Sequence, residues 1–282
     1  MKAHDSRTPR WVPWVLLGPG LLWLLVFFAL PLVRLFANSL ESSKAKQSPG
    51  GFTNYANLYD QYHEVIYRTF WYSFLATVIC LAIGYPLAYV IAMRGGRFKN
   101  VLLAMVVLPF FTTYLIRTIA WRIIIDKDGV LVDFLRTTGL IDKNASLLGR
   151  PVAVVFALVY NFLPVMVLPI YVSLEKLDRR LLEAGSDLYS SAGRTFRKVT
   201  LRLSLPGVFA GSLLTFIPAS GDFVNAELLG SDSTRMIGNI IEKNFLKPEF
   251  RPGISALSFV LMLLILAGVL LYARLLGTED LI

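Results

Sequence analysis

PVAVVFALVYNFLPVMVLPIYVSL, residues Pro151–Leu174, contains no Asp, Glu, Lys, Arg or His. A helix rises 1.5 Å per residue, and a bilayer core is about 30 Å thick, so about 20 apolar residues cross it. Residues 151–174 meet that length with room for tilt. Other uncharged runs are Trp11–Val33, Thr69–Met93, Val101–Ile116, Leu203–Gly221 and Pro252–Ala273. Val101–Ile116 spans only if its helix continues through Arg117 to about Ile125. None alternates as a membrane barrel strand does. Backbone groups in lipid must therefore be satisfied within helices. The predicted fold class is all-α: a polytopic membrane helix bundle with six transmembrane helices.

Composition agrees. The chain has 282 residues, 55% hydrophobic and 17% charged, against about 25% charged in ordinary soluble domains. Lys2, Arg7 and Arg10 before the first run resemble a signal-peptide n-region. The run is longer than an h-region and has no small-x-small site after it, so it reads as an uncleaved anchor. The single cysteine, Cys80, lies inside the second run and reads as a packing residue. With two histidines in the chain, a Cys–His metal site is not expected.

Six spans put both ends on one side. That side holds 94–100 and 175–202 and carries fourteen Lys/Arg, with seven Asp/Glu. The other side has ten Lys/Arg spread over three longer loops and accompanied by twelve Asp/Glu. Arg94-Gly95-Gly96-Arg97-Phe98-Lys99 is the sharpest local cluster. The positive-inside rule therefore predicts cytoplasmic termini, with the 175–202 loop on the same side. The net charge of +9 suits anionic lipid headgroups and does not require nucleic acid. Residues 1–66 are read as a cytoplasmic N-terminus, first helix and outside loop, 67–275 as the core, and 276–282 as a cytoplasmic tail. Within the outer loops, Phe52–Tyr59 reads as a short interfacial helix and Val130–Leu135 as a short amphipathic one.

The 175–202 loop is patterned. Asp178 can cap a helix start, and Leu181, Ala184 and Leu188 recur at i, i+3 and i+7. Ser190-Ser191-Ala192-Gly193 predicts a break, followed by a second short helix over Arg194–Arg202 that interleaves Phe196 and Val199 with basic residues. On pattern alone this loop is either a partner-docking element or a solvated, lipid-facing basic loop.

Glu183-Ala184-Gly185, followed by Val199 and Leu201, resembles the EAA loop in permease subunits of type I ABC importers. The third residue is Gly185 where that family has alanine; the family glycine falls on Tyr189 and the family proline on Arg202. Pro109–Trp121, Leu174–Asp178, Gly221–Gly230 and Met236–Asn239 are similar to segments of the spermidine/putrescine permeases, so the resemblance runs from about 67 to 275. It implies the type I ABC importer permease fold, with Glu183, Ala184, Gly185, Asp187, Leu188 and Tyr189 on a coupling helix that docks in an ATPase. It also implies a second permease subunit, a cytoplasmic ABC ATPase dimer and an external solute-binding protein as partners. Polyamine cargo and a multi-pass plasma-membrane location complete that expectation.

Charges in lipid usually face a bundle interior. Arg117 reads either as a snorkelling anchor of the outer leaflet or as a partner of Asp222 or Glu227 that gates the pathway. Asp222 and Glu227, with Asn225, are candidates for an acidic site that takes a polycation, or are solvated interface residues. Tyr160 and Asn161 fall near mid-membrane before Pro164 and read as pathway lining or as packing polarity. Tyr114, Trp121 and Phe223 are candidate aromatic walls or an interfacial belt.

No phosphate loop with Lys-Ser/Thr, His-Glu-x-x-His or nucleophile elbow is present, so no enzyme activity, cofactor or metal is predicted. A secondary transporter needs a buried coupling carboxylate, and none of the uncharged runs holds one. The remaining alternatives are a permease of the same scaffold for another small solute and a membrane scaffold without transport.

Overall fold

The computed structural model describes residues 12–42, 50–142, 146–189, 191–247 and 250–275. They form helices and connecting turns, with no strand among the described residues. Helix α1, Val12–Leu24, runs through a π-helical turn, Leu25–Ala29, into α2, Leu30–Leu40. Then come α3, Thr53–Tyr89, ending in a second π turn; α4, Lys99–Val107; α5, Tyr114–Ile125; α6, Val130–Thr137; and α7, Pro151–Glu175. The rest are α8, Arg179–Tyr189; α9, Ala192–Thr195; α10, Leu201–Ser220; α11, Val224–Leu229; α12, Ile237–Phe245; and α13, Arg251–Leu275.

Five helical stretches are long and apolar enough to cross a membrane: Trp14–Leu40, Thr53–Arg94, Pro151–Glu175, Ala192–Ser220 and Arg251–Arg274. A sixth span exists if Gly96–Phe111 and Tyr114–Thr137 count together, across a bend of 91°. The expected continuous helix from Val101 to Ile125 is therefore broken. Pro109 supplies no N–H and clashes with the preceding turn. The chain goes 3-10 over Leu108–Phe111 and then extended at Thr112 and Thr113 before α5 restarts at Tyr114.

Three other boundaries differ from the sequence expectation. Residues 53–59 are the first turns of α3, not a separate interfacial helix. The first span runs on to Leu40. The segment 194–202 is not a separate short helix either. From Ala192 a π-helical stretch, Phe196–Thr200, continues without a break into α10. Pro206 sits inside this helix, where its missing N–H leaves the Arg202 carbonyl without its usual helical donor. Helices α6 and α7 fall where the sequence predicts them, and α7 starts with Pro151 at its first position, where the missing N–H costs nothing.

The chain divides into two compact units: residues 1–61 with 244–262, and 62–243 with 263–282. In the first, the side chain of Asn54 donates to the carbonyls of Ser39 at 2.9 Å and Glu41 at 3.1 Å. The Ser39 and Tyr55 hydroxyls bond at 2.6 Å, and Phe36 lies 5.1 Å from Phe259. The second unit is built round α7, whose Val154, Leu158, Met166 and Ile170 are fully enclosed with Ala76 and Cys80 of α3. The Cys80 thiol donates to the Val159 carbonyl at 3.5 Å, as a packing residue would.

Small residues let α10 approach α7. A Cβ on Gly207 would stand 2.5 Å from the Pro169 carbonyl oxygen, and one on Gly211 would stand 2.9 Å from that of Met166. Tail-to-tail packing of lipid gives helices no hydrophobic reason to associate, so close backbone contact supplies the attraction. The spacing Gly-x-x-x-Gly aligns both glycines on one face.

Candidate functional site

The break before α5 and the turn between α10 and α11 deliver polar side chains to one place. Gly221 closes the end of α10, and its N–H reaches the Pro218 carbonyl at 3.2 Å. Asp222 follows, and its Oδ1 accepts from the Asn225 N–H at 2.9 Å, which starts α11. Its Oδ2 accepts from the Tyr114 hydroxyl at the start of α5. The Asn225 amide donates to the same hydroxyl oxygen at 2.5 Å. The Asn225 Oδ1 in turn accepts from Thr118 Oγ1 and from Asn161 Nδ2, both at 3.1 Å. Residues from α5, α7 and the 222–225 turn thus share one network, with Thr118, Asn161, Asp222 and Asn225 buried.

Asp222 lies just past the end of the Ala192–Ser220 span. Burial pushes its carboxyl up to about 6 from an ordinary 3.8, against the pull of the Tyr114 hydroxyl and of backbone N–H groups. Burial disfavours the charged form, so a cation close by would be welcomed. Aromatic rings stand on the same elements. Trp121 makes edge contacts with Phe156 at 4.6 Å and Tyr160 at 5.2 Å, and Tyr114 lies 6.3 Å from Phe162.

Of the predicted pathway residues, Tyr114 meets Asp222 and Trp121 meets Tyr160. Glu227 goes elsewhere. It is partly exposed, pairs with Lys243 at 2.8 Å and accepts from Asn239 at 3.4 Å. The i, i+5 offset turns it away from Asp222, so the two carboxylates do not form a joint acidic site. Arg117 is buried, not snorkelling, because the 91° break removes the straight helix that would carry it outward. It pairs with neither acid among the described residues. Its guanidinium lies over the rings of Phe110, at 5.0 Å, and Tyr114, at 5.8 Å. Thr118 was missed in the sequence; its only signal is its position four residues after Tyr114 on the same helical face. Asn239 anchors the surroundings, donating to the Phe223 carbonyl at 2.7 Å and accepting from the Met236 N–H. Gly238 is needed there, since a Cβ would stand 2.8 Å from the carbonyls of Gly221 and Asp222.

A separate groove of about 490 Å³ between α3, α10 and α13 is lined by residues such as Phe74, Phe216 and Tyr272. No charged residue lines it, so it lacks what a cation needs.

Helix α8 is the second candidate element. Asp178 Oδ1 accepts from the Arg180 N–H at 2.9 Å, which is the predicted cap. Glu183, Ala184 and Asp187 are exposed, as are Leu181 and Leu188, the latter at 77%. Gly185 is buried against α9 and the π segment: a Cβ would meet methyls of Thr195 and Val199 at 3.0 Å. Gly185, one of the three departures from the EAA pattern, is therefore the residue on which the two helices close. The side chain of Tyr189 lies outside the described residues, as do residues 1–11, 143–145 and 276–282. Phe196 carries the contact inward, edge-on to Tyr85 at 5.9 Å and Tyr89 at 5.7 Å.

An all-α bundle of membrane-spanning length, with a polar cluster at a broken span and an exposed amphipathic helix between two others, defines a membrane transport subunit. The chain belongs to the family of binding-protein-dependent transport system inner membrane components, whose model matches residues 84–276. It is a multi-pass inner-membrane permease of the ABC importer type and not an enzyme. It is 37% identical over 256 residues to the spermidine/putrescine transport system permease protein PotB of Haemophilus influenzae, covering 89% of this chain and 90% of that one. The PotB of Escherichia coli K12 is also 37% identical, covering 89% and 93%. The inner membrane ABC transporter permease protein YdcU of Escherichia coli K12 is 31% identical, covering 77% and 73%. A bacterial ABC transporter importing the acidic polysaccharide alginate has the same fold, with a TM-score of 0.71 over 94% of this chain and 95% of that one, at 17% identity. A bacterial alginate ABC transporter in complex with an alginate pentasaccharide-bound periplasmic protein gives 0.74 over 94% and 93%, at 17% identity.

Proposed function

We propose that this chain is a permease subunit for polyamines such as spermidine and putrescine. The observation that carries the reading is Asp222: a buried carboxylate held by Tyr114 and Asn225 at the mouth of a broken span. A polycation offers ammonium groups to such a carboxylate and apolar methylenes to aromatic faces. Tyr114, Trp121 and Tyr160 supply those faces, while Glu227 stays outside the site, paired with Lys243. The relatives named for spermidine and putrescine support the same cargo.

In this reading both termini and residues 178–202 are cytoplasmic, 67–275 form the permease core, and the chain pairs with a second permease. The exposed Leu181, Ala184 and Leu188 stripe docks into a cytoplasmic ATPase dimer, with Glu183, Gly185, Asp187 and Tyr189 beside it. An external solute-binding protein delivers cargo to the outer loops. Closing the ATPase dimer moves α8, and Gly185 transmits the movement to α9 and α10. The direction of transport comes from contacts that differ between two states.

Uptake tests the cargo. Proteoliposomes carrying the chain with its second permease, ATPase and binding protein accumulate labelled spermidine or putrescine when ATP is enclosed on the ATPase side. Accumulation of a different small solute with no polyamine uptake would replace the cargo and leave the scaffold reading intact.

A further inference from the structure

The helix that begins at Ala192 carries a stripe that the transport reading does not use. Arg194, Arg197, Lys198, Leu201, Arg202 and Leu205 recur at i, i+3, i+4, i+7, i+8 and i+11, so they share one helical face. With Leu188 of α8 they line a groove of about 700 Å³, and none of its lining residues is acidic. Arg194, Arg197 and Arg202 are exposed and have no side-chain hydrogen bond or ion pair among the described residues. Three guanidiniums thus face one space with no donor committed among the described residues.

The stripe is graded along its axis. Arg194 and Arg197 occupy its N-terminal end, and Leu201 and Leu205 lie further on in α10 with Arg202 between them. Eleven residues separate Arg194 from Leu205, about 16 Å of helix. A guanidinium holds a phosphate through two parallel hydrogen bonds, while leucines next to a membrane-spanning helix suit acyl chains. A free phosphate would make no use of the leucines. An acidic protein surface would make no use of a floor that passes into the apolar span.

We infer that this groove is a seat for one anionic phospholipid, with its phosphate on Arg194, Arg197 and Arg202 and its upper acyl chain against Leu201 and Leu205. Because Leu188 also lines the groove, the lipid touches the exposed helix α8. The assignment to the inner leaflet rests on the orientation proposed above; the binding chemistry does not.

The test uses the full chain in nanodiscs of equal phosphatidylglycerol and phosphatidylcholine, with co-retained lipid counted by native mass spectrometry. It needs neither ATPase nor polyamine, so its failure is separate from failure of the transport reading. The wild type retains phosphatidylglycerol over phosphatidylcholine. Each arginine near an anionic surface is worth about fivefold in binding, so R202Q lowers retention about fivefold. The triple variant R194Q/R197Q/R202Q lowers it on the order of a hundredfold. Arg97, exposed on the other basic loop, gives the charge control, and R97Q retains the lipid. R202Q reads the site even if the triple variant does not fold. Equal retention of both lipids by the wild type, or undiminished retention in R202Q, overturns the seat. Displacement by millimolar glycerol 3-phosphate as effective as by phosphatidylglycerol vesicles makes it a phosphate site and overturns the lipid. Binding of purified ATPase that needs these arginines, with no lipid retained, makes it a protein face and overturns it too.

Discussion

Replacing Asp222 by asparagine separates charge from shape at the proposed cation site. Asparagine keeps an oxygen for the Asn225 N–H and fills the same space, but carries no charge. A cation about 4 Å from a carboxylate gains about 4 kcal/mol at an effective dielectric of 20. Desolvation of the cation takes back part of it, leaving about 2–3 kcal/mol. Uptake by D222N in proteoliposomes then shows a KM raised about 30- to 150-fold. The fold responds in the opposite sense. The Asp222 carboxyl stands at about 6 in the folded chain against 3.8 ordinarily. Between those pH values the folded state binds the proton more tightly, so stability falls as pH rises through the window. Above pH 6 the full cost of the buried charge is present, on the order of 3 kcal/mol. Asparagine removes that cost and loses the charge-assisted bond from Tyr114, so the thermal midpoint at pH 7.5 stays within a few degrees of the wild type. Uptake by the wild type falls as pH is lowered through about 6, and D222N shows no such fall. An unchanged KM in a folded D222N refutes the cation site.

Three further predictions follow from the same geometry. Glu227→Gln leaves the uptake KM within about twofold, because a half-exposed carboxylate already paired with Lys243 contributes little; a tenfold rise would return Glu227 to the cargo site. Gly207→Ala pushes a methyl to 2.5 Å from the Pro169 carbonyl oxygen; overpacking of about 1–3 kcal/mol exceeds the gain in helix propensity of about 1 kcal/mol, so the thermal midpoint drops by a few degrees, and a rise would contradict the close α7–α10 contact. Gly185→Ala is tolerated, since the Thr195 and Val199 methyls need to give only slightly, whereas Gly185→Val separates α8 from α9 and lowers solute moved per ATP hydrolysed; an unchanged ratio in the valine variant would remove Gly185 from the coupling path.

Much of the fold was legible because lipid imposes a simple rule. Residues 151–174 and 252–273 have no charge over a bilayer's thickness, and α7 and α13 match them to within two residues. Helix α8 was legible from its cap and its i, i+3, i+7 stripe. The break before α5 was not, because Pro109 lies in a run that is otherwise as apolar as any span, and the extended Thr112–Thr113 has no compositional signature. The early start of α3 was hidden by the polar residues 53–64, which lie on helical turns that hydropathy does not mark. At the site, Asp222, Asn225, Tyr114 and Asn161 each drew notice as polar groups near lipid. Their pairing was beyond reach, since Tyr114 and Asp222 are 108 positions apart and meet only through the unpredicted break. The pairing of Glu227 was hidden for a related reason: its partner Lys243 lies on α12, a helix the sequence pattern did not reveal.

The central claim is that force enters this chain from an ATPase through α8. ATP hydrolysis by the reconstituted complex, with and without cargo-loaded binding protein, tests it most directly when the wild type is set beside Glu183→Arg. In the wild type, loaded binding protein stimulates hydrolysis and drives uptake. In the variant the chain inserts and assembles normally, but hydrolysis no longer responds to the loaded protein and uptake is lost. Stimulated hydrolysis and full uptake in Glu183→Arg would contradict the account.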